Sequence, residues 1–114
     1  MALLHIAHRS DWEAAERSGA YEVSTRGRTL ADDGFIHASH PHQVARVAGF
    51  VYRDDPDDLV VLVIDPAAAH ADGVEIREED GGDGELFPHI YGAVRPAWVT
   101  DVRPAGFEDG DFVW

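Results

Sequence analysis

The chain has no cysteine, no lysine and no run of 18 apolar residues. The missing cysteine excludes disulfide frameworks, thiolate metal sites and cysteine nucleophiles together, so stability has to come from packing. The missing apolar run excludes a membrane-spanning helix. Met1 to Ser10 carries two histidines and an arginine in place of a signal-type apolar stretch, so the sequence predicts an untargeted cytoplasmic protein. The basic residues are nine arginines, set against 22 acidic residues for a net charge of −13. Such a field repels phosphate backbones and anionic lipid, which excludes general nucleic-acid and membrane binding as functions. A negatively charged small ligand would need a local arginine pocket.

What remains is a chain of 114 residues, 45% hydrophobic and 10% aromatic, enough to fill one core and too short for two. One domain over residues 1–114 is therefore expected. Leu3-Leu4-His5-Ile6-Ala7 reads as a buried first strand. Ser10 and Glu13 have capping-box spacing, which predicts a short helix starting at Ser10 and ending before Gly19. Ser24 to Gly34 is polar without a period and reads as a loop. Gly34 to Ala38 reads as a second strand, with Ser39 as the N-cap of a helix whose buried face is Val44, Val47, Ala48 and Val51. Leu59 to Ile64 is a continuous β-favouring apolar run, so it should be a central strand covered on both faces.

Asp65-Pro66 ends that strand before an alanine-rich turn, and Val74 and Ile76 alternate with Glu75 and Arg77 as in a half-exposed strand. Glu78 to Glu85, with three glycines and five acids, reads as a mobile acidic loop. Phe87 to Gly92 and Ala97 to Val102 read as further strands, and Phe107, Phe112, Val113 and Trp114 as a tail docked on the core. Strands outnumber helices, and both helices fall in the N-terminal half. The class expected is α+β with a mixed or antiparallel sheet.

Seven histidines are more than such a domain needs. His37 and His89 stand inside ordered apolar segments, where burying an imidazole requires a partner. Metal binding by His37, His40 and His42 is disfavoured, because His40 and His42 would diverge by about 200° around a helix axis. Ser39 lacks a nucleophile elbow, and the glycines at 81, 82 and 84 precede neither a helix nor a lysine, so they form no phosphate loop.

Taken in order, His5-Ile6, Trp12 in a capped helix, Gly34-Phe35-Ile36-His37-Ala38-Ser39 with Gln43 four residues on, the Leu59 to Asp65 strand, and Phe87-Pro88-His89-Ile90-Tyr91-Gly92 carry a resemblance over nearly the whole chain. They resemble the small bacterial family catalogued as domain of unknown function 952. The resemblance implies a fold grouped with ADP-ribosyltransferases, and NAD as a substrate with no metal. It places His5 at the ribose-contacting position on the first strand and Phe35 to Ser39 at the nicotinamide pocket. His37 and His89, with Glu79 or Glu85 as the assisting carboxylate, become the candidate catalytic residues. His5, Phe35, Ser39, Gln43, Tyr91 and Arg28 become the candidate ligand-binding residues, with Arg28, Arg77 or Arg95 available to a pyrophosphate. Two functions follow: an NAD-dependent transferase, or a catalytically silent module that binds a nucleotide-like small molecule. A plain interaction domain survives only if His5, His37 and His89 lie far apart.

Overall fold

Leu59 to Ile64 forms the strand around which the rest is arranged, because its apolar side chains can be satisfied only by cover on both faces. The computed structural model describes residues 2–114. Three strands of the main sheet are β1 (Leu3–His8), β5 (Leu59–Ile64) and β8 (Val99–Glu108), with β5 hydrogen-bonded between the other two. A last strand, β9 (Asp111–Val113), extends the sheet from β8. One face of β5 puts Val60, Leu62 and Ile64 into a cluster with Trp12, Tyr21, Ile36, Ile90 and Trp98. The other puts Leu59 and Val61 against Val44, Ala48 and Tyr52. Phe107, Phe112 and Trp114 pack on that second cluster as expected, but Val113, expected to dock with them, is 44% exposed because β9 alternation turns it away from the cluster.

A second antiparallel sheet has the order β4 (Ile36–His37), β7 (Leu86–Ile90), β6 (Ile76–Asp80). The two sheets are joined where Leu4 and Ser39 exchange backbone hydrogen bonds of 2.8 and 2.7 Å. Every strand pairing is antiparallel, and the curled sheet with four helices makes a small α+β domain. No helix among the described residues is long and apolar enough to cross a membrane.

Several local expectations are corrected. The first helix, α1 (Arg9–Ser18), starts before Ser10, and His8 at its N-cap makes no side-chain cap. Strand β1 runs into it without a loop, and the Arg9 amide donates to Asp58 O instead. Residues 24–34 are ordered structure rather than a loop: β2 (Val23–Thr25) and β3 (Arg28–Thr29) form a hairpin, and α2 (Leu30–Asp33) follows. The capping box lies here, with the Thr29 hydroxyl accepting from Asp32 N and the Asp32 carboxylate accepting from Thr29 N. Ser39 is not an N-cap, because it is committed to the bridge with Leu4; α3 (Val44–Val51) begins beyond it with Gln43 at the N-cap position.

The alanine-rich stretch is a helix, α4 (Pro66–Ala71), so helices are not confined to the N-terminal half. Asp65 accepts from Ala67 N and Pro66 occupies the first turn, where its absent N–H leaves nothing unpaired. Glu78, Glu79 and Asp80 belong to β6, not to a loop, and the connection to β7 is only 81–85. The segment at Ala97 is a 3-10 turn (Pro96–Trp98) leading into β8.

Candidate functional site

Strand alternation decides which side chains meet. In β4 and β7, Ile36 pairs with Ile90 and His37 with His89. Cross-strand partners share a face, so burying the isoleucines in the core sends both histidines to the opposite side. Phe35, Phe87 and Tyr91 sit two residues from a histidine and share that side. In β6, Arg77 pairs with His89, so Glu79 is its diagonal neighbour on the same face.

Of these, Phe35, His37, Phe87 and His89 border a cleft of about 290 Å³. Its floor comes from β1 through Leu4, His5 and Ile6, and one wall from α3 through Val47, Phe50 and Val51. Facing them are His37, Ser39, Asp80, Gly81, Phe87 and His89. The lining is mostly apolar, and Phe50, 83% exposed, forms its lip. A Cβ at Gly81 would lie 2.5 Å from the Phe87 ring, so any other residue there would push that ring aside.

The three expected histidines therefore share one cleft, with different duties. His5 is structural. Its Nδ1–H donates to His37 O at 2.5 Å, which leaves Nε2 to accept from the Tyr21 hydroxyl at 2.8 Å. Burial pushes this imidazole down to about 4 and pushes the Tyr21 phenol up. A ligand could touch the His5 ring only through its carbons, because both nitrogens are used.

His37 Nε2 lies 3.2 Å from the Asp33 carboxylate. Burial lowers its pKa, with Asp33 opposing. Burial also works against ionisation of Asp33, but the hydrogen bond and charge of Arg28 help outweigh it and hold that carboxyl below the usual range. Arg28 is 2.5 Å from Asp33 and reaches the site only through it.

His89 is the centre of the site. Its side chain is 5% exposed, and its ring stacks on Phe35 at 3.9 Å between centroids, with 14° between planes. Its Nδ1–H donates to Glu79 at 2.9 Å, so in the neutral ring Nε2 carries the lone pair. That buried Nε2 has no hydrogen-bond partner among the described residues. Glu79 also accepts from the Tyr91 hydroxyl, and these two donors hold its carboxyl below the usual range. Arg77 lies over the Tyr91 ring at 4.8 Å and pairs with Glu75. Tyr91, a candidate ligand-binding residue by resemblance, does not line the cleft and acts behind it through Glu79. His37 and His89, 5.3 Å apart between ring centroids, are each oriented by a carboxylate.

Two expected residues are used elsewhere. Gln43, fully buried, donates to the Glu85 carboxylate at 2.8 Å and to Leu86 O at 2.9 Å, and accepts from His40 N at 3.0 Å. Glu85 also pairs with Arg46. Gln43, Arg46 and Glu85 clasp α3 to the β6–β7 hairpin, and neither Gln43 nor Glu85 lines the cleft. Gln43→Ala is expected to cost about 1–3 kcal/mol, because buried partners lose their hydrogen bonds. It should also speed amide exchange at residues 81–85; unchanged exchange there would show that the clasp does not hold the hairpin.

Sequence reasoning missed Asp33, Tyr21 and Asp80. Each gains its role from register or packing, and no spacing in the sequence marks them. The described residues also bring His8, Asp55 and Asp57 together at metal-ligating range. Arg26 already occupies the Asp55 carboxylate there, at 3.0 Å.

Solved structures of the protein CC0527 from Caulobacter crescentus share this fold. A double mutant of it is 28% identical with a TM-score of 0.81, covering 99% of this chain and 94% of that one. The crystal structure of the parent protein is 27% identical with a TM-score of 0.79 over the same shares. Its solution structure is 27% identical with a TM-score of 0.75, covering 96% and 90%. No curated protein matches the chain. The pattern of the family described as "Protein of unknown function (DUF952)" matches residues 6–102, which include every histidine and carboxylate of the cleft except His5, and the chain belongs to that family.

Proposed function

We propose that the cleft binds a compact ligand and that His89, oriented by Glu79, accepts a proton or hydrogen bond from it. The observation that carries this reading is the buried, unpartnered His89 Nε2. A lone pair kept out of water and fixed by a carboxylate on the other nitrogen is the arrangement a general base requires.

In the version that follows from the ADP-ribosyltransferase resemblance, the ligand is NAD, consumed as a substrate with release of nicotinamide. A cleft of about 290 Å³ suits the nicotinamide–ribose end rather than a whole dinucleotide. Ribose hydroxyls would donate to the imidazole nitrogens, and Phe35 and Phe87 supply aromatic surface. Breaking the nicotinamide bond develops positive charge on the ribose, which fixed lone pairs and carboxylates favour. The pyrophosphate would lie outside, since Arg28, Arg77 and Arg95 are paired with Asp33, Glu75 and Asp72 and none lines the cleft. The second reading, a silent binding module, is favoured by the engagement of Glu79 with Tyr91 and His89 and of Glu85 with the clasp. Neither carboxylate is then free to assist transfer directly.

Nicotinamide release from NAD, measured for the wild type and His89→Gln, tests the proposal. A transferase should lose about 100-fold or more in rate in the variant while remaining folded. A silent module should release nothing, yet NAD should shift the His37 and His89 imidazole signals. If NAD neither reacts nor shifts them, the NAD reading is wrong.

A further inference from the structure

The charges around the cleft are one-sided. No arginine lines it among the described residues, and the chain contains no lysine. Apart from the hydroxyls of Thr25, Ser39 and Tyr52 and aliphatic side chains, its lining consists of imidazoles, one carboxylate and aromatic rings. His89 Nε2 presents a buried lone pair. Asp80 brings a carboxylate to the rim; one of its oxygens is anchored by the Gly82 and Gly84 amides at 2.6 and 3.0 Å. Phe35, Phe87 and the exposed Phe50 offer ring carbons on three sides. The whole chain adds a field from a net charge of −13.

Each of these favours the same ligand charge. A lone pair in a dry site takes a cationic N–H in a charge-assisted hydrogen bond, stronger than a neutral one. Aromatic faces attract cations. A negative surface concentrates them near the mouth. An anion of the same size would be desolvated with no cationic side chain to receive it, and that burial is costly.

We infer that the cleft selects a small organic cation, a protonated amine on a compact apolar body, over neutral or anionic molecules of the same shape. This rests on the reading of the cleft as a ligand site. It narrows that reading, because the nicotinamide–ribose end of a dinucleotide meets the charge preference through its pyridinium ring but brings no charged N–H, and the phosphates become unwelcome.

Three probes of one shape separate charge from fit: benzylammonium, benzyl alcohol and benzoate, titrated into the full chain at pH 7.5 with the His89 and Gly81 NMR signals followed. Benzylammonium should bind at least fivefold more tightly than benzyl alcohol, benzoate should be weakest, and raising the salt should narrow the differences. Asp80→Asn should reduce the preference for benzylammonium. An advantage of benzylammonium over either other probe below fivefold overturns the charge selection and leaves the cleft as a ligand site. Signals unmoved by all three probes overturn both.

Discussion

Acidification from pH 7.5 to 5 is expected to cost the protein about 2 kcal/mol through His5 alone. The imidazole is sealed between His37 O and the Tyr21 hydroxyl, and burial holds it at about 4 against 6.5 when exposed. Between those two values the unfolded chain binds a proton that the folded chain refuses. The contribution is therefore complete above about pH 6.5 and is lost as the pH falls toward 4. His37, also lowered by burial, adds to the loss with the same sign. The carboxyls held below their usual range, including Asp33 and Glu79, lose their contributions only at lower pH still. Urea unfolding at pH 7.5 and 5 measures this. In His5→Gln the stability lost between the two pH values should shrink by about 2 kcal/mol, whatever the variant's overall stability. Equal loss in the two proteins would show that His5 is not held neutral.

Trp98→Ala should be the most damaging single truncation, at about 3–5 kcal/mol. Trp98 is 1% exposed and ends the 3-10 turn that leads into β8. Its ring fills the core cluster that also holds Ile64 and Ala69, its indole N–H donates to Asp72 at 2.6 Å, and its carbonyl accepts from Asp65 N at 2.9 Å. It therefore ties both ends of α4 to the main sheet. Alanine would leave a void and remove the indole donor to Asp72, whereas Trp98→Phe keeps most of the volume and should cost about 1–2 kcal/mol. The check is a shift of the urea midpoint with an unchanged slope. A loss below 1.5 kcal/mol for Trp98→Ala would contradict the placement of this ring in the core.

The parts of the fold that the chain spells out are those where one local signal suffices. Six apolar residues in β5 imply cover on both faces, the Val44, Val47, Ala48 and Val51 spacing implies a buried helical face, and Gly19 in the left-handed conformation ends α1. The hairpin at 23–29 was illegible because its strands are too short to show alternation. Helix α2 was hidden because its capping box lies within an otherwise featureless polar stretch. Asp65-Pro66 carries two meanings, strand terminator and helix start, and only the hydrogen bond from Ala67 N separates them.

The site divides in the same way. The two histidine segments were visible as apolar runs interrupted by imidazole, and a shared cleft followed once their strands were neighbours. The choice between Glu79 and Glu85 was not visible, because register decides it. Glu79 falls diagonally across from His89 on β6, while Glu85, six residues on, reaches Gln43 and Arg46 near the start of α3. Asp33 stands four residues before His37, but Gly34 breaks the helix between them, so no helical spacing marks the pair.

The central claim is that His89, which lines the cleft, keeps a bare, buried Nε2 because Glu79 holds its proton on Nδ1. Nitrogen-15 NMR of the imidazoles at pH 8, where an ordinary histidine is neutral, tests it most directly. The account predicts that His89 carries its proton on Nδ1 and that Glu79→Gln, whose amide can donate to Nδ1, shifts population to the Nε2–H form. Wild-type His89 protonated on Nε2, or a tautomer unchanged in Glu79→Gln, would contradict it.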